Sequence, residues 1–215
     1  MKYNWYAFKL VIICIIVFIL QLTFPWITEE FLISSDFLFK PWTIITYIFL
    51  HGDIMHIFYN MFALALFGSV LEKIIGGKKF LLVFFISGII GGIGTTLFYN
   101  ASLGASGAIY GIFGTLAVLR PRMTVYMGLG FPMPMIVAVF LWSLGDFLGV
   151  FAPCEIVNGE TMCANIAYAA HLFGLAFGVI YGFYLRKNYG ESRIKKKSKA
   201  NISETEFRKW ENEWL

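Results

Sequence analysis

Charged residues are scarce in this sequence, since Asp, Glu, Lys and Arg make up 14% of its 215 residues, against about 25% in average soluble chains. Hydrophobic residues supply 59% and aromatic residues 19%. These fractions exclude an ordinary soluble domain, and they also exclude disordered, collagen-like and coiled-coil chains. The composition predicts a membrane protein.

Cysteine is also scarce, with Cys14, Cys154 and Cys163 alone in the chain. Their spacing matches no metal-binding or redox motif, and we predict no metal and no cofactor. Cys154 and Cys163 are the two that could pair, in an oxidising compartment, to close a short external loop. The alternative is that Cys163 already belongs to the last helix, where the geometry keeps the two sulfur atoms apart.

The net charge of +4 arises at the carboxyl end, because nine of the 17 Lys and Arg residues lie in residues 186–215 and the preceding chain has equal numbers of basic and acidic residues. This basic tail indicates the cytoplasmic side of a membrane and gives no support to a nucleic-acid partner. Ser203 and Glu206 form a capping box. Aromatic residues follow at helical spacing: Phe207, Trp210 and Trp214. The tail is predicted either to form an amphipathic helix on anionic lipid or to stay solvated and disordered.

Long apolar runs dominate the rest of the chain. A membrane-spanning helix needs about 20 mostly apolar residues, and six stretches qualify: 10–27, 54–71, 80–99, 103–119, 133–152 and 163–185. The first is predicted to be an uncleaved span, because the residues after it do not form a signal-peptide cleavage site. Residues 123–132 are predicted to be an apolar loop broken by glycine and proline. The sequence thus predicts an all-α polytopic bundle of six transmembrane helices over residues 1–185.

The basic residues of this bundle fall almost entirely on one side of the predicted spans. They are Lys2, Lys9, Lys73, Lys78, Lys79, Arg120 and Arg122, and Lys40 alone lies opposite. By the positive-inside rule, both termini are predicted to be cytoplasmic, with the protein in the cell (plasma) membrane. The aromatic-rich loop 26–53 is then external and is predicted to lie in the outer interface of the membrane.

Few polar side chains lie within the spans, and each is a functional hypothesis because hydrocarbon rejects them. His51, His56 and Asn60 lie at the start of the second span, Ser106 opens the fourth, and His171 is predicted to lie midway in the sixth. His56 and Asn60 are four residues apart, so they share one helical face.

Glycines accompany the serine and the histidine at helical spacing. They are Gly107, Gly111 and Gly114 after Ser106, and Gly174 and Gly178 after His171. One interpretation is close helix packing alone, with the Ser106 hydroxyl bonded to a backbone carbonyl. The other is that two glycine-faced helices bring Ser106 and His171 together as a nucleophile and its base. His56 and Asn60 would then be donors to an oxyanion.

These residues resemble the motifs of the rhomboid intramembrane serine proteases. The motifs are His51-x4-His56-x3-Asn60, Gly104-Ala105-Ser106-Gly107 with Tyr110 and Gly111, and Ala170-His171-x2-Gly174-x3-Gly178. They fall on three separate spans in the family's order, and the resemblance covers residues 5–185. One departure is Thr43, which occupies a place where the family commonly carries arginine after a tryptophan, so the first loop is expected to be held differently.

The resemblance implies a six-helix bundle with a Ser–His dyad that hydrolyses peptide bonds in or next to transmembrane helices. Ser106 would be the nucleophile and His171 the general base, with an oxyanion hole formed by His56, Asn60 and the Ser106 backbone N–H. Supporting roles would fall to His51, Gly104, Gly107, Tyr110 and Gly174. The expected partners are transmembrane protein substrates and membrane lipids, with no nucleic acid and no metal. Asp146, within the fifth span, is expected to hydrogen-bond within the bundle or to line water.

Other classes of membrane protein fit these residues less well. A zinc protease needs a His-Glu-x-x-His motif, which the sequence lacks. An aspartyl protease needs two membrane carboxylates, and Asp146 alone lies deep in a span. A catalytically dead relative would lack the serine or the histidine, and a transporter would favour paired charges or an inverted repeat.

Overall fold

A computed structural model describes residues 4–127, 130–151, 155–157, 160–162 and 166–190. Cys154, Cys163 and the tail from residue 191 lie outside these residues, so the disulfide and the amphipathic tail helix stay predictions. The described chain is mostly helical, as the sequence predicts.

Helices form the body of the protein, and short paired strands lie in the connections. The helices are α1 (Tyr6–Thr23), α2 (Trp26–Phe31), α3 (Thr43–Thr46), α4 (Ile54–Ala63), α5 (Ser69–Ile75), α6 (Gly77–Thr95), α7 (Ser106–Leu119), α8 (Met135–Val150) and α9 (Tyr168–Tyr189). The strands are β1 (Ile33–Ser34), β2 (Ala101–Ser102), β3 (Thr124–Met127), β4 (Phe131–Pro134), β5 (Glu155–Val157) and β6 (Glu160–Met162), which pair antiparallel as β1 with β2, β3 with β4, and β5 with β6. A π-helical turn, Leu64–Gly68, joins α4 to α5 without a break.

Four helical segments of the described chain are long and apolar enough to cross a membrane: Tyr6–Thr23, Ile54–Ile75, Gly77–Thr95 and Tyr168–Tyr189. Two further apolar helices, α7 and α8, are shorter. The protein is therefore a polytopic integral membrane protein. The count of six spans stays a proposal, with α7 and α8 as the two short members.

Several boundaries differ from the predicted spans for local reasons. α1 ends at Thr23 and not at residue 27, because Pro25 disfavours a helical conformation in the residue before it. α8 begins at Met135, since the preceding residues pair in β4. The predicted loop 123–132 contains the hairpin of β3 and β4. α9 begins at Tyr168, later than the predicted residue 163.

α7 lies at the centre of the bundle, and most of its 14 residues are buried. Its middle turn is tied to α9 by Thr115, whose Oγ1 lies 2.9 Å from the Gly111 carbonyl oxygen and 3.0 Å from that of Gly178. A hydroxyl shared between two helix backbones is satisfied without water, as a membrane interior requires. The position of α7 relative to α9 is therefore held by packing and by hydrogen bonding.

The end of the bundle opposite Ser106 carries Lys79, Arg120 and one buried carboxylate. Glu72, which is 2% exposed, accepts hydrogen bonds from the backbone N–H groups of Asn4 (3.2 Å) and Ala7 (3.1 Å). It thereby caps the start of α1, which begins earlier than the predicted residue 10. Arg120 donates to the Tyr189 carbonyl, and the Lys79 ammonium lies 5.6 Å from the Tyr189 ring.

The first loop, residues 26–53, folds over the other end of the bundle. Trp26, Phe39 and Trp42 are exposed, as expected of an aromatic surface at a membrane interface. Thr43, which stands where the family commonly has arginine, is buried, and its hydroxyl donates to the Lys40 carbonyl at 2.7 Å. The loop is thus held here by a short local hydrogen bond.

Candidate active site

Ser106 and His171 lie side by side, although 65 residues separate them in the sequence. Ser106 is the first residue of α7, and His171 lies in the first turn of α9 and not midway along it, because α9 begins at Tyr168. The Ser106 Oγ and His171 Nε2 atoms are 2.8 Å apart, which is hydrogen-bond distance. A hydroxyl at this distance from an imidazole nitrogen can transfer its proton as it attacks an electrophile.

A seam of glycines between α7 and α9 explains this juxtaposition. A Cβ atom on Gly174 would lie 2.0 Å from the Gly107 carbonyl oxygen, and one on Gly178 would lie 2.1 Å from the Gly111 carbonyl oxygen. Only glycine allows backbones to approach this closely. The two interpretations left open by the sequence are therefore compatible, because the glycines pack and their packing sets the serine beside the histidine.

Two further side chains surround the His171 ring. Tyr110, one turn after Ser106 on α7, stacks on the imidazole with ring centroids 4.3 Å apart and planes inclined by 9°. Asp146 of α8 places Oδ2 3.3 Å from His171 Nδ1. The imidazole thus contacts the serine hydroxyl at one edge, a carboxylate at the other and an aromatic ring on one face.

His56 presents its Nε2 atom to the backbone before α7. The Gly52 N–H donates to His56 Nδ1 at 3.3 Å, so Nδ1 is unprotonated and Nε2 carries the hydrogen. A Cβ atom on Gly104 would lie 2.8 Å from that Nε2, and Gly104 has φ of 123°, a conformation that favours glycine. Because Gly104 has no side chain, the His56 Nε2 atom can lie close to the backbone that precedes α7.

The family of the chain follows from comparison with known proteins. Residues 38–188, well over half of the chain, match the Rhomboid domain. The chain belongs to the rhomboid family. The resemblance inferred from the three motifs is thereby confirmed.

Rhomboid relatives match different shares of the chain. YdcA of Bacillus subtilis is 34% identical over 145 residues, covering 66% of this chain and 66% of that protein. Rhomboid protease GlpG of Yersinia pseudotuberculosis is 26% identical over 187 residues, covering 84% of this chain and 62% of that protein. The mitochondrial Rhomboid protein 1 of Saccharomyces cerevisiae is 30% identical over 171 residues, covering 75% of this chain and 47% of that protein. The chain thus spans less than two thirds of the length of these relatives.

Asn60 of this rhomboid lies one turn after His56 and is 8% exposed. Its Nδ2 donates to the His56 carbonyl at 2.8 Å. An amide nitrogen has two hydrogens, so one remains after this bond. The bond fixes the Asn60 side chain against α4, and the second hydrogen is the one that could serve as a donor to a bound ligand.

His51 is 1% exposed, and its ring packs edge-on against His56 with centroids 5.1 Å apart. Burial lowers the pKa of His51 well below its usual range, so the ring is neutral at pH 7. Gln21 of α1 holds the His51 backbone by two hydrogen bonds, accepting from its N–H at 3.0 Å and donating to its carbonyl at 3.2 Å. Because this clamp joins α1 to the segment before α4, His51 is positioned through its backbone.

The sequence does not predict the hydrogen bonds of Gln21 to the His51 backbone. It also does not predict the contact between Asp146 and His171. Asp146 carries a detectable signal, because a carboxylate within a span is costly unless it has a partner. Its partner could not be read from the sequence, since the rotation of α8 about its own axis decides which side chain it meets. Gln21 carries no comparable signal, because one amide near the end of a span is compatible with an interfacial position.

Proposed function

We propose that this rhomboid is an intramembrane serine endopeptidase that hydrolyses peptide bonds in or next to transmembrane helices of its substrates. The observation that carries the proposal is the 2.8 Å contact between Ser106 Oγ and His171 Nε2. Names of relatives such as Rhomboid protease GlpG support the same class of activity. A non-catalytic rhomboid that only binds membrane proteins would have no need of a serine and a base in contact.

The proposed reaction begins where a substrate helix unwinds and exposes a peptide carbonyl. Ser106 Oγ attacks the carbonyl carbon while His171 Nε2 takes the hydroxyl proton. The tetrahedral intermediate collapses to an acyl-enzyme as His171 returns the proton to the leaving amine. Water, activated by His171, then hydrolyses the ester and restores Ser106.

The developing negative charge needs donors that are already in place. The Ser106 backbone N–H opens α7, so it has no partner within the helix. We assign the second donor to His56 Nε2–H, because Nδ1 of that ring accepts a hydrogen bond, and the third to the remaining amide hydrogen of Asn60. All three are neutral groups, which suits a charge that appears only during the reaction.

We also propose that both termini are cytoplasmic and that the protein lies in the cell membrane. The end of the bundle opposite the dyad carries the basic residues of that side, including Lys79 and Arg120. Basic residues near the cytoplasmic leaflet are favoured by its anionic lipids. The dyad then lies toward the external side, within reach of the ends of substrate helices, and lipid surrounds the exposed apolar faces.

The protease assignment is tested by labelling the purified protein in detergent or vesicles with a fluorophosphonate probe. Such a probe reacts with a serine activated by a base, so we expect a single adduct, located on Ser106 by mass spectrometry. Ser143 on α8, whose hydroxyl donates to the Phe140 carbonyl, is the unreactive internal control. An unlabelled Ser106 in folded protein would contradict the assignment.

Asn60→Ala is expected to lower kcat by about 10²- to 10³-fold without abolishing turnover, because one oxyanion donor is lost and two remain. The measurement is single-turnover cleavage of a single-span substrate. Met61→Leu, at the neighbouring buried position, is the control and should leave kcat unchanged, since it conserves volume. An unchanged kcat in Asn60→Ala would remove the residue from the oxyanion hole.

A further inference from the structure

Asp146 is a carboxylate in the apolar part of α8 and is 7% exposed. The reaction proposed above does not use it. A carboxylate in a membrane interior is costly, and such groups persist when they are paired or serve a function. Glu72, the other buried carboxylate in the described part of the chain, caps α1 at the far end of the bundle. Asp146 is therefore the buried carboxylate of the described chain whose role is not helix capping.

Asp146 lies beside the edge of the His171 ring that faces away from the serine. Asp146 Oδ2 and His171 Nδ1 are 3.3 Å apart, an ion-pair distance, and in the described part of the chain neither buried atom makes a hydrogen bond, so each is open to the other. The opposite ring nitrogen, Nε2, contacts Ser106 Oγ at 2.8 Å. The three side chains thus stand in the order serine, imidazole, carboxylate, with the ring between the two oxygen atoms.

This order decides which nitrogen of the neutral imidazole carries the hydrogen. A neutral ring has one N–H and one acceptor nitrogen. A carboxylate beside Nδ1 favours the hydrogen at Nδ1, which leaves Nε2 as the acceptor that general-base catalysis requires. With the hydrogen at Nε2, the ring would donate to Ser106 and could not take its proton.

The stacked Tyr110 ring complements this contact. It covers one face of the imidazole and restricts tilting, whereas the carboxylate restricts rotation within the ring plane. When His171 takes the proton from Ser106, the ring becomes a cation in an apolar surrounding. A carboxylate 3.3 Å away then forms an ion pair with it.

We propose that Asp146 is a positioning residue for His171, which holds the imidazole of the Ser106–His171 dyad with its hydrogen at Nδ1. The proposal rests on the protease function proposed above. Asp146 contacts no reacting atom and acts through the imidazole. The 3.3 Å separation is longer than that of a strong charge-assisted hydrogen bond, about 2.8 Å, and we expect it to shorten when His171 becomes charged.

The test compares Asp146→Asn with Asp146→Glu. Asn conserves the size of the side chain but removes the charge, and its amide can donate to Nδ1 and select the wrong tautomer. We expect Asp146→Asn to lower kcat by about 10- to 10²-fold at unchanged KM. This effect is smaller than the decrease of about 10⁴-fold that follows when the Asp of a soluble Ser-His-Asp triad is replaced by Asn. The rate at which a fluorophosphonate labels Ser106 should fall by the same factor. Asp146→Glu, which keeps a carboxylate, should retain more of both rates.

Gly145→Ala is the matched control on α8, because a Cβ atom there meets no atom within 4 Å beyond its chain neighbours and the adjacent helix backbone, and it should leave both rates unchanged. A merely structural role would lower Tm in Asp146→Asn while kcat per folded molecule stayed at the parent value, and this result would overturn the proposal. Equal rates in the Asn and Glu variants would also overturn it. If Ser106→Ala still cleaved substrate, the proposed function itself would fail, whereas a full-rate Asp146→Asn beside an inactive Ser106→Ala would reject only the role of Asp146.

Discussion

Replacing Ser106 with Ala is expected to abolish proteolysis, and replacing His171 with Ala is expected to do the same. Each change removes one partner of the 2.8 Å contact through which the proton leaves the hydroxyl. In a soluble serine protease, loss of the nucleophile or of its histidine lowers kcat by about 10⁶-fold. A loss of that size places cleavage of a single-span substrate below detection.

The effects of the two substitutions on kcat should not be additive. Nucleophile and base act as one unit, so the double variant Ser106→Ala, His171→Ala is expected to be no less active than either single variant. Ser106→Ala removes one hydrogen bond, worth about 1 kcal/mol, and should leave the fold intact. Its Tm in detergent therefore checks that the loss of activity is chemical.

Ser143→Ala provides the matched control, because it makes the same change in a serine whose hydroxyl donates only to the Phe140 carbonyl within α8. It should cleave the substrate at the parent rate. A folded Ser106→Ala protein that cleaved the substrate as fast as the parent would remove both the nucleophile assignment and the protease function.

The candidate site was largely predictable from the sequence because hydrocarbon rejects polar side chains. Ser106, His171 and Asn60 stand out against apolar neighbours, and the glycines at helical spacing predict that two of the helices approach closely. The existence of the long helices follows from apolar runs of membrane length in the same way. Each of these signals lies within one segment of the chain.

Features that depend on how segments meet were not predictable. The partner of Asp146 depends on the rotation of α8, and the start of α1 depends on Glu72, which is distant in sequence. The sequence predicts a loop where β3 and β4 form a hairpin, because glycine and proline mark turns but do not show that the flanking residues pair. The glycine spacing predicts that helices approach closely, but no pattern in one sequence shows which individual side chains then meet.

Gly174→Ala is expected to lower kcat by about 10²-fold, although the residue takes no part in the chemistry. The added Cβ would lie 2.0 Å from the Gly107 carbonyl oxygen, far inside van der Waals contact, and the obstacle is backbone that no rotamer change can move. α9 must shift away from α7 by about 1 Å, and a displacement of that size in a catalytic group costs about 10²-fold in rate.

The shift acts on the dyad because Gly107 follows the nucleophile directly and Gly174 lies one turn after His171. Moving the two backbones apart lengthens the 2.8 Å distance between Ser106 Oγ and His171 Nε2. Proton transfer needs these atoms within hydrogen-bond distance, so even a small increase lowers the rate. The strain should also lower stability by about 1–3 kcal/mol, as overpacking does elsewhere. Both effects are measurable on one preparation, by single-turnover cleavage and by Tm.

Gly145→Ala separates this effect from a general response to alanine in a membrane helix. The site on α8 is open, with no atom beyond its chain neighbours and the adjacent helix backbone within 4 Å of the added Cβ, and alanine is the better helix former by about 1 kcal/mol. It should keep parental kcat with an equal or higher Tm. If Gly174→Ala behaved like Gly145→Ala in both measurements, the glycine seam would not be what holds Ser106 against His171, and the dyad distance would have to be set by α6 or α8 instead.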